Sequence, residues 1–163
     1  MASGPVVVGY DGSPASERAL QAASTVLAAR RALVVVVWEP ERIYEPLDPM
    51  YSLAAVDVRV AVELDKAMYE HSRRLAEQGA TRLREAGFEA EGLAVHDVIT
   101  VGMTLVRLAE ERDAPAVVVG SHGHRALREI VMGSTTQEVV RRAPCPALVV
   151  RGPKDEKKKD DKG

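Results

Sequence analysis

Few features of this chain of 163 residues support a disulfide scaffold, a zinc site or a membrane protein. Cys145 is the single cysteine, which excludes an intrachain disulfide and a cysteine-based zinc cluster. The longest unbroken apolar run has seven residues, Ala32 to Trp38, and is too short to span a bilayer. The N-terminus has no basic segment followed by an apolar stretch, so we expect no secretory signal, no membrane partner and a cytoplasmic location.

An excess of basic residues is also missing. The chain has 22 Lys+Arg against 24 Asp+Glu and a formal net charge of -2. Proteins that bind nucleic-acid backbones are usually basic, so we expect no specific nucleic-acid partner. No G-x-x-x-x-G-K-[ST] loop occurs, and no G-x-G-x-x-G follows the first apolar run. P-loop ATPases and dinucleotide-binding enzymes are therefore disfavoured.

Composition divides the chain into a body and a charged tail. Of the six lysines, five lie between Lys154 and Lys162, a stretch without apolar residues. Such a segment cannot offset its ordering entropy by burial, so we predict one domain over residues 1–152 and a disordered tail over residues 153–163. Residues 39–57 hold three prolines and two tyrosines. We predict a loop or lid there, with a variable surface insertion as the alternative.

Five short apolar runs predict the strands of a parallel sheet. Most are continuously apolar rather than alternating, which is typical of strands covered on both faces. The runs are Pro5–Val8, Leu33–Trp38, Leu93–Val98, Ala116–Val119 and Ala147–Val150. Helical patterns separate them. This alternation predicts an α/β fold with an open, doubly wound, five-stranded parallel sheet and helices on both faces.

Capping residues and apolar periodicity predict four helices. Ser13 as N-cap and Pro14 at the first helical position open the first one. In the second, His71 falls on the apolar stripe, so we expect a core or interface residue there. Ser134 to Gln137 fits a capping box, S-x-x-Q, at the start of the fourth. The predicted helices cover about residues 14–30, 60–83, 103–112 and 134–142.

The end of the first strand carries residues suited to ligand binding. Open α/β sheets bind ligands at the carboxyl ends of their strands. Gly9 and Gly12 allow a tight turn there, and Asp11 provides an acceptor at the edge of the sheet. The alternative is that Asp11 forms a local Asx-type turn before the helix.

The end of the fourth strand carries a second set. Gly120 and Gly123 let the backbone approach a ligand and present amides in a concave nest. Ten residues after Gly123, Gly133 and Ser134 open a helix whose free N–H groups and dipole favour an anion. Together the two loops suit the two ends of a phosphate chain. The alternative is that the glycines only cap helices.

Residues 117–151, VVVGSHGHRALREIVMGSTTQEVVRRAPCPALVVR, resemble the C-terminal signature of the universal stress protein family. The nucleotide-binding subclass of that family carries G-x2-G-x9-G-[S/T], which Gly120, Gly123, Gly133 and Ser134 match without a gap. The N-terminal VVVGYDGSPASERAL resembles the family's first strand and helix. The resemblance covers nearly all of residues 5–151, although residues 39–100 are only generically similar.

The resemblance implies an ATP-binding domain with strand order 3-2-1-4-5, and ATP, with or without Mg²⁺, as its cofactor. Asp11 would lie near adenine and ribose with Gly9 and Tyr10 beside it, and Val37 would offer backbone groups to adenine. The phosphate and ribose side would be lined by Gly120, His122, Gly123, Gly133, Ser134, Thr135 and Thr136.

The resulting prediction is a cytoplasmic adenine-nucleotide binding protein that acts in stress response or signalling. The rivals are a slow ATPase or phosphotransferase that uses the same site, and a dimeric scaffold that binds no nucleotide. No catalytic residue and no metal cluster can be named from the spacing. Residues 146–150 are apolar and would form an edge strand, so we expect a homodimer that pairs through them.

Overall fold

A computed structural model describes residues 3–28, 31–38, 58–96, 99–121 and 132–152. Within these ranges the sheet has five strands, all parallel, in the order β3-β2-β1-β4-β5. The predicted fold class and the expected strand order are confirmed. The elements are β1 (Val6–Gly9), α1 (Pro14–Val26), β2 (Arg31–Trp38), α2 (Val58–Glu85), β3 (Glu89–His96), α3 (Val101–Glu111), β4 (Val117–Gly120), α4 (Ser134–Arg142) and β5 (Ala147–Val150).

Two parts of the sequence prediction lie outside the described residues. These are the loop over residues 39–57 and the charged tail over residues 153–163. Of the helices that the structure describes, none is both long and apolar enough to cross a membrane.

The side chains of the strands alternate between two apolar layers. Val8 and Val34 pack on the face covered by α1 and α2, whereas Val7, Val35 and Val117 pack on the face covered by α3 and α4. Because helices cover both faces, successive residues are buried along the central strands, over Val6–Val8, Ala32–Val36 and Val117–Val119. This explains why the apolar runs do not alternate with polar residues.

The first helix begins as predicted and ends earlier than predicted. Ser13 is the N-cap, and its Oγ accepts the N–H of Ser16 at 3.2 Å. The helix ends at Val26, not near Arg30, and Val26 is 66% exposed. The backbone of Leu27 already has an extended conformation, because β2 begins at Arg31.

His71 on α2 is not a core residue, whereas the alternative, an interface residue, stays a prediction. His71 is exposed, and the neighbouring Ser72 is buried. The helix packs closely on β2 and β3 through small residues, including Ala76 and Gly79. Leu75 and Leu83, which follow at helical spacing, also pack on the core, so the contact face of α2 lies close to the predicted one.

β3 starts at Glu89, four residues before the predicted Leu93, and pairs with β2 along its whole length. Glu89 and Glu91 are exposed at this outer strand. An edge strand tolerates such charges, and they obscured the strand in the sequence.

Gly92 sets how closely α2 approaches β3. A Cβ at this position would lie 2.6 Å from the backbone carbon of Ala76. We expect Gly92→Ala to lower the free energy of unfolding by about 1–3 kcal/mol, because α2 must shift. Urea denaturation measures the change, and Glu91→Ala, at an exposed position of the same strand, is the control. Equal stability of Gly92→Ala and the control would show that α2 does not depend on this contact.

Candidate functional site

The candidate site lies at the carboxyl ends of β1 and β4. These two strands are neighbours, and Val8 pairs with Val118. The chain continues from β1 to β2 on one side, whereas β4 lies on the other side, so the strand order reverses here. Such a switch point opens a crevice at the carboxyl edge of the sheet.

The turn between β1 and α1 is fixed by serine hydroxyls. Asp11 Oδ1 accepts the N–H of Ser13 at 2.9 Å, and the Asp11 N–H donates to Ser16 Oγ at 3.3 Å. Gly12 has a φ of 75°, a conformation that favours glycine. The Asx-type turn therefore exists, and it holds Asp11 at the edge of the sheet. The role of Ser16 in this turn was not predicted from the sequence. The signal that indicates it is a serine three residues after an N-cap serine.

Gly9 and Tyr10 border the site through their backbone. The Tyr10 side chain is buried, and its hydroxyl donates to Glu17, which is also paired with Arg82. Burial raises the pKa of Tyr10, whereas the nearby Arg82 opposes the shift, so the hydroxyl stays protonated. A Cβ at Gly9 would lie 2.9 Å from a methyl group of Leu105. A larger residue here would therefore force the Leu105 side chain to shift.

The carboxyl end of β4 is tied to both α1 and α4. A Cβ at Gly120 would lie 2.8 Å from backbone atoms of Ala15, so this glycine lets α1 pack against the strand. The buried Thr136 donates its hydroxyl to the Gly120 carbonyl at 2.9 Å. The N–H of Gly133 donates to the carbonyl of Ser121 at 3.2 Å. His122 and Gly123, two predicted site residues, lie outside the described residues.

The predicted capping box at the start of α4 is wrong. The N-cap is Gly133, Ser134 is the first helical residue, and no side chain in the described ranges caps the helix. Gln137 instead donates through Nε2 to the carbonyl of Met132 at 2.8 Å. The backbone amides of the first turn, which include those of Ser134 and Thr135, therefore receive no cap from a described side chain.

Gly133 differs from the other glycines of the site. Among the described residues, a Cβ at this position would contact only the Ser121 carbonyl oxygen, at 3.6 Å, which is an ordinary van der Waals distance. The backbone conformation of Gly133 is also open to other residues, since its φ is -57°. Neither this conformation nor packing against the described residues requires a glycine here.

The end of β2 contributes Val37. Its side chain is half-buried on the α3 side of the sheet. The carbonyl of Val35 accepts the N–H of Tyr10 at 2.9 Å. Counting from Val35, the backbone N–H and C=O groups of every second residue of β2 therefore point toward the β1 side of the strand. The backbone of Val37 consequently faces the chain that follows β1.

Metal binding finds no support in the parts of the chain that the structure describes. These residues contain no group of three or more His, Cys, Asp or Glu side chains that could hold an ion. His96 packs against Trp38 with ring centroids 4.8 Å apart. Burial raises the pKa of the half-buried Cys145 thiol, which favours its protonated form.

The fold defines an α/β protein with a candidate ligand site at the switch point of its sheet. The chain belongs to the universal stress protein family, whose model, described as Universal stress protein family, matches residues 3–151. The universal stress protein MJ0577 of Methanocaldococcus jannaschii is 33% identical over 92 residues, 55% of this chain and 54% of that protein. A universal stress protein of Mycobacterium bovis is 32% identical over 153 residues, 93% of this chain and 45% of that protein. The aligned region thus spans about half the length of each of these relatives.

Solved structures share the fold. That of MJ0577 superposes with a TM-score of 0.75 at 22% identity, and the match covers 94% of this chain and 99% of that chain. The universal stress protein of Archaeoglobus fulgidus in complex with dAMP has a TM-score of 0.56 at 22% identity, covering 91% of this chain and 98% of that chain. A family protein of Arabidopsis thaliana with bound AMP has a TM-score of 0.57 at 16% identity, covering 97% and 98% of the two chains.

Thr136 is expected to hold the site together. Thr136→Val removes the hydrogen bond to the Gly120 carbonyl without changing the side-chain shape, and should destabilise the protein by about 1–2 kcal/mol. Thr136→Ser should keep most of the stability, and Thr135→Val, at the neighbouring half-buried threonine, is the matched control. Chemical denaturation checks the order of the three variants. A Thr136→Val protein as stable as wild type would contradict the assigned contact.

Proposed function

We propose that this protein binds an adenine nucleotide, ATP in the first place, between the end of β1 and the amino end of α4. The observation that carries the proposal is Gly133. The described residues leave room for a side chain at this position, which carries none, and it lies directly before amides that no described side chain caps. A bound phosphate accounts for both facts, since it needs the space above Gly133 and accepts hydrogen bonds from the amides.

Each remaining site residue has a role in this proposal. Gly120, His122, Gly123, Gly133, Ser134 and Thr135 line the phosphate and ribose side. Asp11 contacts the ribose and adenine, Gly9 and Tyr10 border them through backbone atoms, and Val37 offers backbone groups to adenine. Thr136 holds the first turn of α4 against the end of β4 and acts on the ligand through that position.

Family members crystallised with AMP and dAMP support an adenine nucleotide as the ligand. A further family structure is a complex with cAMP, at a TM-score of 0.59 and 23% identity over 93% of this chain and 98% of that chain. We favour ATP because the chain has two amide-bearing loops, separated so that they suit a phosphate chain. Mg²⁺ would accompany the triphosphate as its counterion, since none of the described residues forms a metal cluster.

The biological role that fits such a site is binding, not turnover. Occupancy by ATP would alter conformation or partner binding, in stress response or signalling in the cytoplasm. Residues 1–152 would form the nucleotide-binding domain, followed by the charged tail. Amides that bind ground-state phosphates do not by themselves lower the barrier to hydrolysis.

Gly133→Val is expected to abolish ATP binding and leave the fold intact, because the new side chain fills the phosphate space without a clash with the described residues. Isothermal calorimetry measures the affinity, and wild type should prefer ATP over adenosine. Val140→Ala, at an exposed position of the same helix, is the control and should bind like wild type. Equal ATP affinity in Gly133→Val and wild type would refute the site.

Hydrolysis should be slow or undetectable. Enzymes typically turn over about 10 times per second, and we expect a rate far below this. Release of inorganic phosphate from ATP by the purified protein is the measurement. Turnover near the typical enzyme rate that is lost in Ser134→Ala or His122→Ala would instead identify an ATPase that uses the same site.

We further propose a homodimer that pairs through β5. The N–H of Val117 donates to the carbonyl of Pro146, and the N–H of Ser121 donates to that of Val150. Backbone groups alternate along a strand, so those of Ala147 and Val149 point away from β4. Pro146, which lacks an N–H, suits the start of such an edge strand. Antiparallel pairing with a two-fold mate would satisfy both edges and close the assembly.

Val149→Pro removes one outward donor and leaves the bonds to β4 in place. Sedimentation of this variant should shift toward monomer, while circular dichroism stays native-like. Val149→Ala retains the N–H and serves as the control. A wild-type protein that sediments as a monomer, or a folded Val149→Pro protein that stays dimeric, would exclude this interface.

A further inference from the structure

The first turns of α3 and α4 touch each other next to the proposed phosphate site. A Cβ at Gly102 would lie 2.5 Å from Glu138 Oε2 and 3.0 Å from the carbonyl oxygen of Thr135. Only a glycine permits this approach without a shift of one helix. The amino end of α4 is therefore positioned by α3 as well as by β4.

Thr100 joins the two helices with its hydroxyl group. As the N-cap of α3, its Oγ1 accepts the N–H of Met103 at 3.2 Å. The same hydroxyl donates to Glu138 Oε2 at 2.7 Å. The carboxylate of Glu138 is thus held at the amino end of α3, where the helix dipole favours a negative charge.

The position of Glu138 makes this contact relevant to an anionic ligand. Glu138 follows Ser134 by four residues, so the two lie on one face of α4. Side chains of a helix tilt toward its N-terminus. A Glu138 carboxylate released from Thr100 would therefore point toward the first turn of α4 and repel a phosphate there.

α3 also contacts the other half of the proposed site. Leu105 is fully buried, and its side chain lies against Gly9 at the end of β1. One helix thereby touches the end of β1 and the first turn of α4. Its position sets the spacing between the adenine and phosphate ends of the site.

We propose that Thr100 and Glu138 are positioning residues for the phosphate chain of the nucleotide. Their hydrogen bond fixes the first turn of α4 and keeps the Glu138 charge away from the phosphates. This inference rests on the proposed function, because it concerns the same site. It assigns to Thr100 and Glu138 a selective effect on phosphate affinity.

Calorimetry with ATP and with adenosine tests the inference. Thr100→Val should weaken ATP binding by roughly three- to tenfold and leave adenosine binding unchanged. Thr100→Asp can still cap α3 but repels Glu138, so it should weaken ATP binding at least as much with the helix cap retained. Thr100→Ser keeps both hydrogen bonds and should bind ATP like wild type.

Glu138→Gln separates the charge from the hydrogen bond. Its amide oxygen still accepts from Thr100 and carries no charge, so ATP affinity should equal or exceed that of wild type. Added to Thr100→Val or Thr100→Asp, Glu138→Gln should restore part of the lost affinity. Thermal unfolding of each variant shows whether α3 stays folded.

Three outcomes would overturn the inference. Thr100→Val and Thr100→Asp proteins that bind ATP like wild type would remove the positioning role. Equal weakening of ATP and adenosine would show a purely structural contact. A wild-type protein that binds no ATP would overturn the proposed function, whereas the first two outcomes leave the proposed function standing.

Discussion

The arrangement of this protein depends on close helix contacts that only glycine allows. At Gly9, Gly92, Gly102 and Gly120 a Cβ would lie within 3.0 Å of a neighbouring helix or its side chains. Three of these glycines lie at the carboxyl edge of the sheet. Gly9 and Gly120 end β1 and β4, and Gly102 lies in the first turn of α3. They bring α1 onto β4, α3 onto β1 and α3 onto α4. These contacts fix how α1, α3 and α4 approach the edge where the candidate site lies.

The same constraint separates glycines that serve packing from a glycine that serves a ligand. Gly120 belongs to the family motif, yet its contact with Ala15 already accounts for it. Gly133 belongs to the same motif and has no such neighbour in the part of the chain that the structure describes. Spacing alone treated these two positions alike. The structure distinguishes them, and the proposed binding of a nucleotide phosphate rests on that difference.

Much of the fold could be predicted from local chemistry. The apolar runs of β1, β4 and β5 and the Ser13–Pro14 start of α1 are strong local signals, and the structure has the elements there. The errors arose where tertiary contacts decide. The face that α2 buries is set by small residues against β2 and β3, and the exposed His71 is not part of the core. The N-cap of α4 is Gly133 and not Ser134, because the N–H of Gly133 donates to the carbonyl of Ser121.

The candidate site was predictable in its motif and not in its supports. Asp11 and Gly133 could be predicted from their residue types and spacing. Ser16 acts through a hydrogen bond of its hydroxyl group to the Asp11 backbone. Thr100 and Glu138 are distant in sequence and act through a hydrogen bond to each other. A contact between residues 100 and 138 leaves no local pattern in a single sequence. Such pairs become visible only once α3 and α4 lie side by side.

The central claim is that ATP binds at the carboxyl edge between β1 and α4. Backbone amide chemical shifts from nuclear magnetic resonance, recorded during an ATP titration, test this most directly. The account predicts saturable shifts at Asp11, Ser121 and residues 133–135. A polar groove of about 880 Å³ at the opposite edge, lined by Arg31, Arg84 and Arg112 among others, offers the contrasting location. Shifts confined to that groove, or no saturable shifts at any residue, would contradict the account.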